Sequence, residues 1–145
     1  MKILAKNNRA SFDFDFKDTF IAGLILSGAE VKSAKNGSIS LAGAYVNVSP
    51  AGAVLINCHI GPYKYAPNEV YEPTRSRKLL LNKKEINSLL GKEKGLTVVP
   101  LEMFVGGKGL VKIKIGLGRA RKKGDKRAYI KQRETTREIR KNLDR

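Results

Sequence analysis

The chain has 145 residues, 41% of them apolar, with 29 Lys and Arg against 13 Asp and Glu, for a formal charge of +16. That apolar share is enough for one core and excludes wholesale disorder, and the length fits one domain with at most a terminal extension. The charge points to a polyanionic partner, nucleic acid before anionic membrane. It is also unevenly placed, since residues 119–145 carry 12 basic and 4 acidic side chains and the other 118 carry 17 and 9, so the tail is far more basic per residue.

The opening MKILAKNNRASF has too short an apolar stretch for a signal peptide, and no run approaches the ~18 residues of a membrane span. One cysteine, Cys58, permits no internal disulfide. The expected location is the cytoplasm, without a membrane role. Along the chain, FDFDF alternates, which predicts a strand with Phe12, Phe14 and Phe16 on one face and Asp13 and Asp15 on the other. TFIAGLILSG follows as an apolar strand, with Gly23 expected at a bend or bulge. AEVKSAKNG predicts a short helix or turn ending at Gly37.

AYVNVS and AVLINCHI, separated by Pro50, Ala51 and Gly52, predict a hairpin. Val46 and Val48 are expected on one face, with Val54, Ile56, Cys58 and Ile60 together on the partner strand. Residues 61–73 read as loop, with Tyr63, Tyr65 and Tyr71 as candidates for packing on the barrel or stacking on bases. NKKEINSLLG predicts a helix capped by Asn82, with Glu85 closing a capping box, an Ile86–Leu89–Leu90 stripe and Gly91 as the stop. LTVVPLEMFV and LVKIKIGL flank a glycine-rich turn at Gly106, Gly107 and Gly109, with Val111, Ile113, Ile115 and Leu117 inward and Lys112 and Lys114 outward. About six strands, two or three short helices and short connections predict a mostly β, OB-like antiparallel barrel over residues 1–118, followed by a basic tail over 119–145.

Enzymatic chemistry finds little support. Cys58 and His59 are neighbours, so in a strand they face opposite ways, and together they are too few soft ligands for a metal. GLGRAR and GGKGL match neither a dinucleotide fingerprint nor a phosphate loop. The chain is expected to be no enzyme and to use no cofactor or metal. PTRSRKLLLNKKE instead sets Arg75, Arg77, Lys78, Lys83 and Lys84 just before and at the start of a helix, a pattern suited to phosphates or simply to solvating the helix entrance. In the tail, a helix would align Tyr129, Gln132, Thr136, Ile139 and Leu143 in a stripe too thin to fold alone, which predicts disorder in the free protein and ordering on a polyanion.

AGLILSGAEVKS, PTRSRKLLLNKKEI, GLTVVPLEMFV, VKIKIGL and DKR stand in the order and spacing of one family, and through them the chain resembles the SsrA-binding proteins from about Asn7 to Arg127. The resemblance implies a monomeric, non-enzymatic partner of transfer-messenger RNA that binds its tRNA-like domain. With elongation factor Tu, such a protein brings this RNA to stalled ribosomes, where its tail enters the empty messenger channel and folds as a helix.

The resemblance places Leu80 and Asn82 at the family's RNA-binding surface, with Asn82 open to a capping role as well, and together with the basic Lys32, Arg75, Arg77, Lys78 and Lys83 they make the candidate RNA-binding set. Asp125, Lys126 and Arg127 match the tail motif that the family uses in the decoding centre, and with Arg121, Lys122, Lys123 and the apolar Ile139 and Leu143 they make the candidate ribosome-binding tail set. Ile21 departs from a glutamate of some members, and Gly124 from a common His or Tyr. The competing readings are a ribosomal protein and a generic OB-type single-strand binder.

Overall fold

The computed structural model describes residues 2–62, 71–92 and 94–121. Twelve elements follow in order: β1 (Lys2–Lys6), α1 (Ala10–Asp13), β2 (Phe14–Leu24), α2 (Gly28–Lys35), β3 (Ile39–Ser40), β4 (Tyr45–Ser49), β5 (Gly52–Ile56), β6 (His59–Ile60), β7 (Arg77–Leu80), α3 (Lys83–Leu90), β8 (Leu96–Val105) and β9 (Val111–Ala120). Every strand pairing is antiparallel. The order β8-β4-β5-β7-β2-β9 returns on itself because β9 also pairs with β8, so these strands form a closed ring, with β1 added alongside β8. Closure satisfies backbone groups that an open sheet would leave at its edges. The predicted OB-like barrel is therefore present, with more strands than the sequence pattern suggested.

The ring is filled by residues from all sides: Ala22 and Leu24, Val46, Ala53 and Leu55, Leu79, Val98 and Met103, and Ile113 and Ile115 share one core, sealed by Leu89 of α3. Two long strands bend to achieve this. Their bulges lie between Phe16 and Asp18 in β2 and between Pro100 and Glu102 in β8. A bulge increases local twist, which a small closed sheet needs. The bulge of β2 thus lies at Lys17 and not at the expected Gly23, six residues further on.

Three other local expectations change. FDFDF is not one strand: Asp13 N–H donates to Arg9 O at 2.8 Å, so residues 10–13 form a helical turn and β2 begins at Phe14. From there β2 runs unbroken through what looked like a second strand. Val54 and Ile56 do not share the inner face with Cys58 and Ile60; Ala53 and Leu55 are buried instead. Asn57, at φ 63°, reverses the alternation between them. Finally, the proposed domain limit at residue 118 falls inside β9, which reaches Ala120 and continues as Arg121 N–H donating to Asp13 O at 2.8 Å.

Among the described residues no helix is long and apolar enough to cross a membrane. The glycines of "IGLG" serve packing. On the outer face of β9, a Cβ at Gly116 would lie 2.7 Å from the Phe16 ring, and one at Gly118 would lie 2.7 Å from Asp15 O and 2.8 Å from that ring. An edge of the Phe16 ring thus packs against both glycines, and the ring stacks with Phe14 at 6.0 Å between centroids. Gly118→Ala is expected to destabilise the fold by about 1–3 kcal/mol through forced overpacking, read from urea unfolding midpoints; an unchanged midpoint would show that β2 yields freely.

Candidate nucleic-acid interface

Directly opposed residues of an antiparallel ladder share a face. Gly23 lies opposite Leu80 on one side and Lys112 on the other, and Ile21 lies opposite Lys114. Since Ala22, Leu24, Leu79 and Ile113 occupy the core, the outer face of β7-β2-β9 carries Lys78, Leu80, Ile21, Gly23, Lys112 and Lys114. Leu80 is 60% exposed and Ile21 57%, both large for isolated aliphatics on a sheet. Between them Gly23 has no side chain, and the Leu80 side chain settles over it: a Cβ at Gly23 would stand 3.2 Å from Leu80 Cβ. An exposed apolar strip bordered by lysines suits the flat face of a base or sugar, with ammonium groups placed for phosphates.

Beside Leu80 the chain turns into α3. Asn82 Oδ1 accepts from Glu85 N–H at 2.8 Å and Glu85 Oε1 accepts from Asn82 N–H at 3.1 Å, which is the predicted capping box. The carboxamide nitrogen of Asn82 is left outside that box, so capping and an outward contact are compatible. Lys83 and Lys84 are exposed at the helix start, and Lys32 is exposed on α2.

Arg77 corrects the sequence reading. It alternates with Lys78 and Leu80, so it points inward, and it is completely buried. Its Nε donates to Glu30 Oε2 at 2.7 Å, Nη1 to Cys58 O at 2.6 Å, and Nη2 to Tyr71 Oη at 3.1 Å and Pro73 O at 2.9 Å. Arg77 is thus an internal tie and does not meet a phosphate. Tyr71 donates in turn to Ile60 O at 2.7 Å, which takes it from the stacking candidates. Tyr63 and Tyr65 lie outside the described residues.

Glu30, which the sequence reading passed over, is the centre of this arrangement. It sits at the third position of α2, where Ser27 Oγ accepts from Glu30 N–H at 3.2 Å and Glu30 Oε1 accepts from Ser27 N–H at 2.9 Å. Arg75 Nε donates to Glu30 Oε2 at 3.0 Å and Arg75 Nη2 donates to Oε1. Burial pushes the Glu30 carboxyl up, but the hydrogen bonds from Arg75, the Ser27 backbone and Arg77, with the charge of Arg77, outweigh burial and hold it at about 2. Burial pushes the Cys58 thiol up to about 11, against the pull of Arg77, so it is a protonated, inert group at neutral pH. The sequence signal for Glu30 was the Ser27–Glu30 capping-box spacing; nothing in it disclosed that two arginines converge there.

In the tail set, Arg121 is docked on the barrel, its Nε donating to Phe14 O at 3.2 Å. Lys122, Lys123, Asp125, Lys126, Arg127, Ile139 and Leu143 lie outside the described residues, as do Gly124 and the rest of the tail.

A basic barrel with a lysine-bordered apolar strip on one sheet face belongs to the class of small nucleic-acid-binding β-barrel proteins. The chain belongs to the SmpB family, whose model, described as "SmpB protein", it matches over residues 4–145. It is 46% identical over 143 residues to the SsrA-binding protein of Coprothermobacter proteolyticus, covering 97% of this chain and 95% of that one. It is 41% identical over 140 residues to that of Geobacillus kaustophilus, with 95% and 90% covered. Its fold is similar to a chain of the solved structure described as "tmRNA-SmpB: a journey to the center of the bacterial ribosome", with TM-score 0.69, 34% identity, and 87% and 93% covered.

Glu30 has a folded value depressed from 4.5 to about 2, so its stabilisation is complete above about pH 4.5 and is lost as pH falls through about 2. At roughly 1.4 kcal/mol per pH unit, the loss is on the order of 3 kcal/mol. Urea unfolding from pH 6 to pH 2 is expected to show that decline. Glu30→Gln is expected to be less stable at neutral pH and to show a flatter decline; parallel curves for the two proteins would remove Glu30 as the cause.

Proposed function

We propose that this chain binds the tRNA-like domain of transfer-messenger RNA and carries it to stalled ribosomes for trans-translation, acting as a non-catalytic adaptor. The observation that carries this reading is the outer face of β7-β2-β9, where Leu80 and Ile21 flank bare Gly23 between Lys78, Lys112 and Lys114. It is a surface built for RNA on a chain of the SmpB family. In this reading Leu80 supplies apolar contact, Asn82 caps α3 with its oxygen and offers its nitrogen to RNA, and Lys78 and Lys83 neutralise phosphates. Lys32 extends the basic surface from α2.

Residues 122–145 are assigned the ribosomal part. Lys122, Lys123, Asp125, Lys126 and Arg127 would meet the decoding centre, and Ile139 and Leu143 would anchor a helix in the messenger channel. Elongation factor Tu would join through the RNA complex, the protein would act as a monomer, and its place of work would be the cytoplasm.

Three measurements test this. Full-length protein is expected to prefer a transcript of the tRNA-like domain over ordinary tRNA and over a single strand at near-physiological salt; equal, steeply salt-dependent binding to all three would reduce the activity to phosphate attraction. Leu80→Glu is expected to weaken that binding roughly tenfold, since good base contacts are worth ~1–3 kcal/mol, with little change in thermal stability at so exposed a site. Ending the chain after Arg121, which keeps β9 whole, is expected to preserve the preference for the tRNA-like transcript and abolish tagging in a translating extract. Equal loss of both would overturn the assignment of separate tasks to barrel and tail.

A further inference from the structure

The Glu30 cluster holds two guanidinium groups and one carboxylate, so it carries one positive charge in excess. Burying an uncompensated charge is costly, and the surplus must meet solvent or an anion. It cannot do so at Arg77, which is enclosed and has donors committed to Glu30, Cys58 O, Tyr71 and Pro73 O. It emerges at Arg75, whose side chain is 40% exposed while Glu30 is wholly buried.

The geometry at Arg75 is specific. Glu30 takes the side edge of its guanidinium through Nε and Nη2. Nη1 makes only a long contact to Ser76 O at 3.4 Å. Of five N–H donors, one on each Nη therefore remains, and these two form the end edge of the fork. A paired end edge matches two oxygens of a phosphate. Arg75 stands in the chain that leads into β7, three residues before Lys78, and reaches Glu30 on α2, so its exposed edge lies near the entry to the strand that carries Lys78 and Leu80.

We infer that Glu30 is a positioning residue, a buried carboxylate that clamps one edge of Arg75 so that the opposite edge stands at the surface as a fixed fork for an RNA phosphate. The inference rests on the RNA-binding reading above and adds a mechanism to it. A guanidinium held in place before binding loses less rotamer freedom on contact than a free surface arginine does. Glu30 contributes without touching the RNA, and Arg77 supplies the second positive charge that lets the carboxylate stay buried.

The test measures binding of the full-length chain to a transcript of the tRNA-like domain of transfer-messenger RNA, across a salt series, with thermal melting in parallel. Arg75→Ala is expected to weaken binding roughly tenfold, as for one charge-assisted contact, and to flatten the slope of log affinity against log salt by about 0.7–0.9, as for one phosphate. Arg75→Lys keeps the charge but not the fork, and is expected to lose nearly as much affinity. Glu30→Gln is expected to weaken binding with Arg75 present and to add nothing once Arg75→Ala has been made, a non-additivity that general destabilisation does not produce. Wild-type affinity in Arg75→Lys, or additive losses in the double variant, would overturn the clamp. The two Arg75 variants decide the matter even if Glu30→Gln fails to fold. Wild-type protein showing no preference for this transcript over ordinary tRNA would instead overturn the RNA-binding reading itself.

Discussion

The buried ion pair between Glu30 and Arg77 is the constraint around which this barrel is organised. Arg77 opens β7, the strand that joins β5 to β2 in the ring, and it occupies an inner position where an aliphatic residue would ordinarily stand. Its hydrogen bonds reach α2 through Glu30, the chain before β6 through Cys58 O, and the chain leading into β7 through Tyr71 and Pro73. Three separately placed stretches of sequence are thus held by one guanidinium. Such a pair is a weak source of net stability compared with an apolar filling, but removing one partner strands the other charge in the interior at about 3–5 kcal/mol. Arg77 ties the start of β7 to α2 and to the chain before β6, and the outer residues Lys78 and Leu80 follow it along the same strand.

How far the sequence discloses this differs by element. The β8–β9 hairpin is readable because Val111, Ile113 and Ile115 alternate with lysines and a glycine turn precedes them. Helix α3 is readable because its cap and capping-box residues are three apart and bind each other as that spacing implies. Strand β7 is not, because its inward position is a charged residue, and inner and outer faces of RKLL look alike until Glu30 is found beside Arg77. The face of β5 is misassigned for a different reason: one residue in left-handed backbone, Asn57, reverses the alternation, and asparagine gives only a faint hint of that.

The candidate site divides in the same way. Leu80, Asn82, Lys78 and Lys83 are placed at the surface as a reading of the charged stretch would have them. Arg77 has the same charge as its neighbour Lys78 and lies three residues from Leu80, yet it serves the interior. Composition reports how much positive charge the protein has; only partners such as Glu30 determine which part of it faces outward. Ile21 also makes sense only in three dimensions, since its neighbour across the strand pair is Lys114 and bare Gly23 separates it from Leu80 in the adjoining row.

Strand β9 has a mechanical implication. It is paired along nearly its whole length on both edges, to β2 from Ala120 to Lys112 and to β8 from Arg119 to Val111, and Arg121 continues the first ladder to Asp13. A pull transmitted from the residues that follow would load both ladders in shear along their length, so that many hydrogen bonds share the tension before any one breaks. Among the described residues β9 is the strand paired most fully on both edges, so tension applied beyond Arg121 would be spread over two ladders and the barrel would hold together under it.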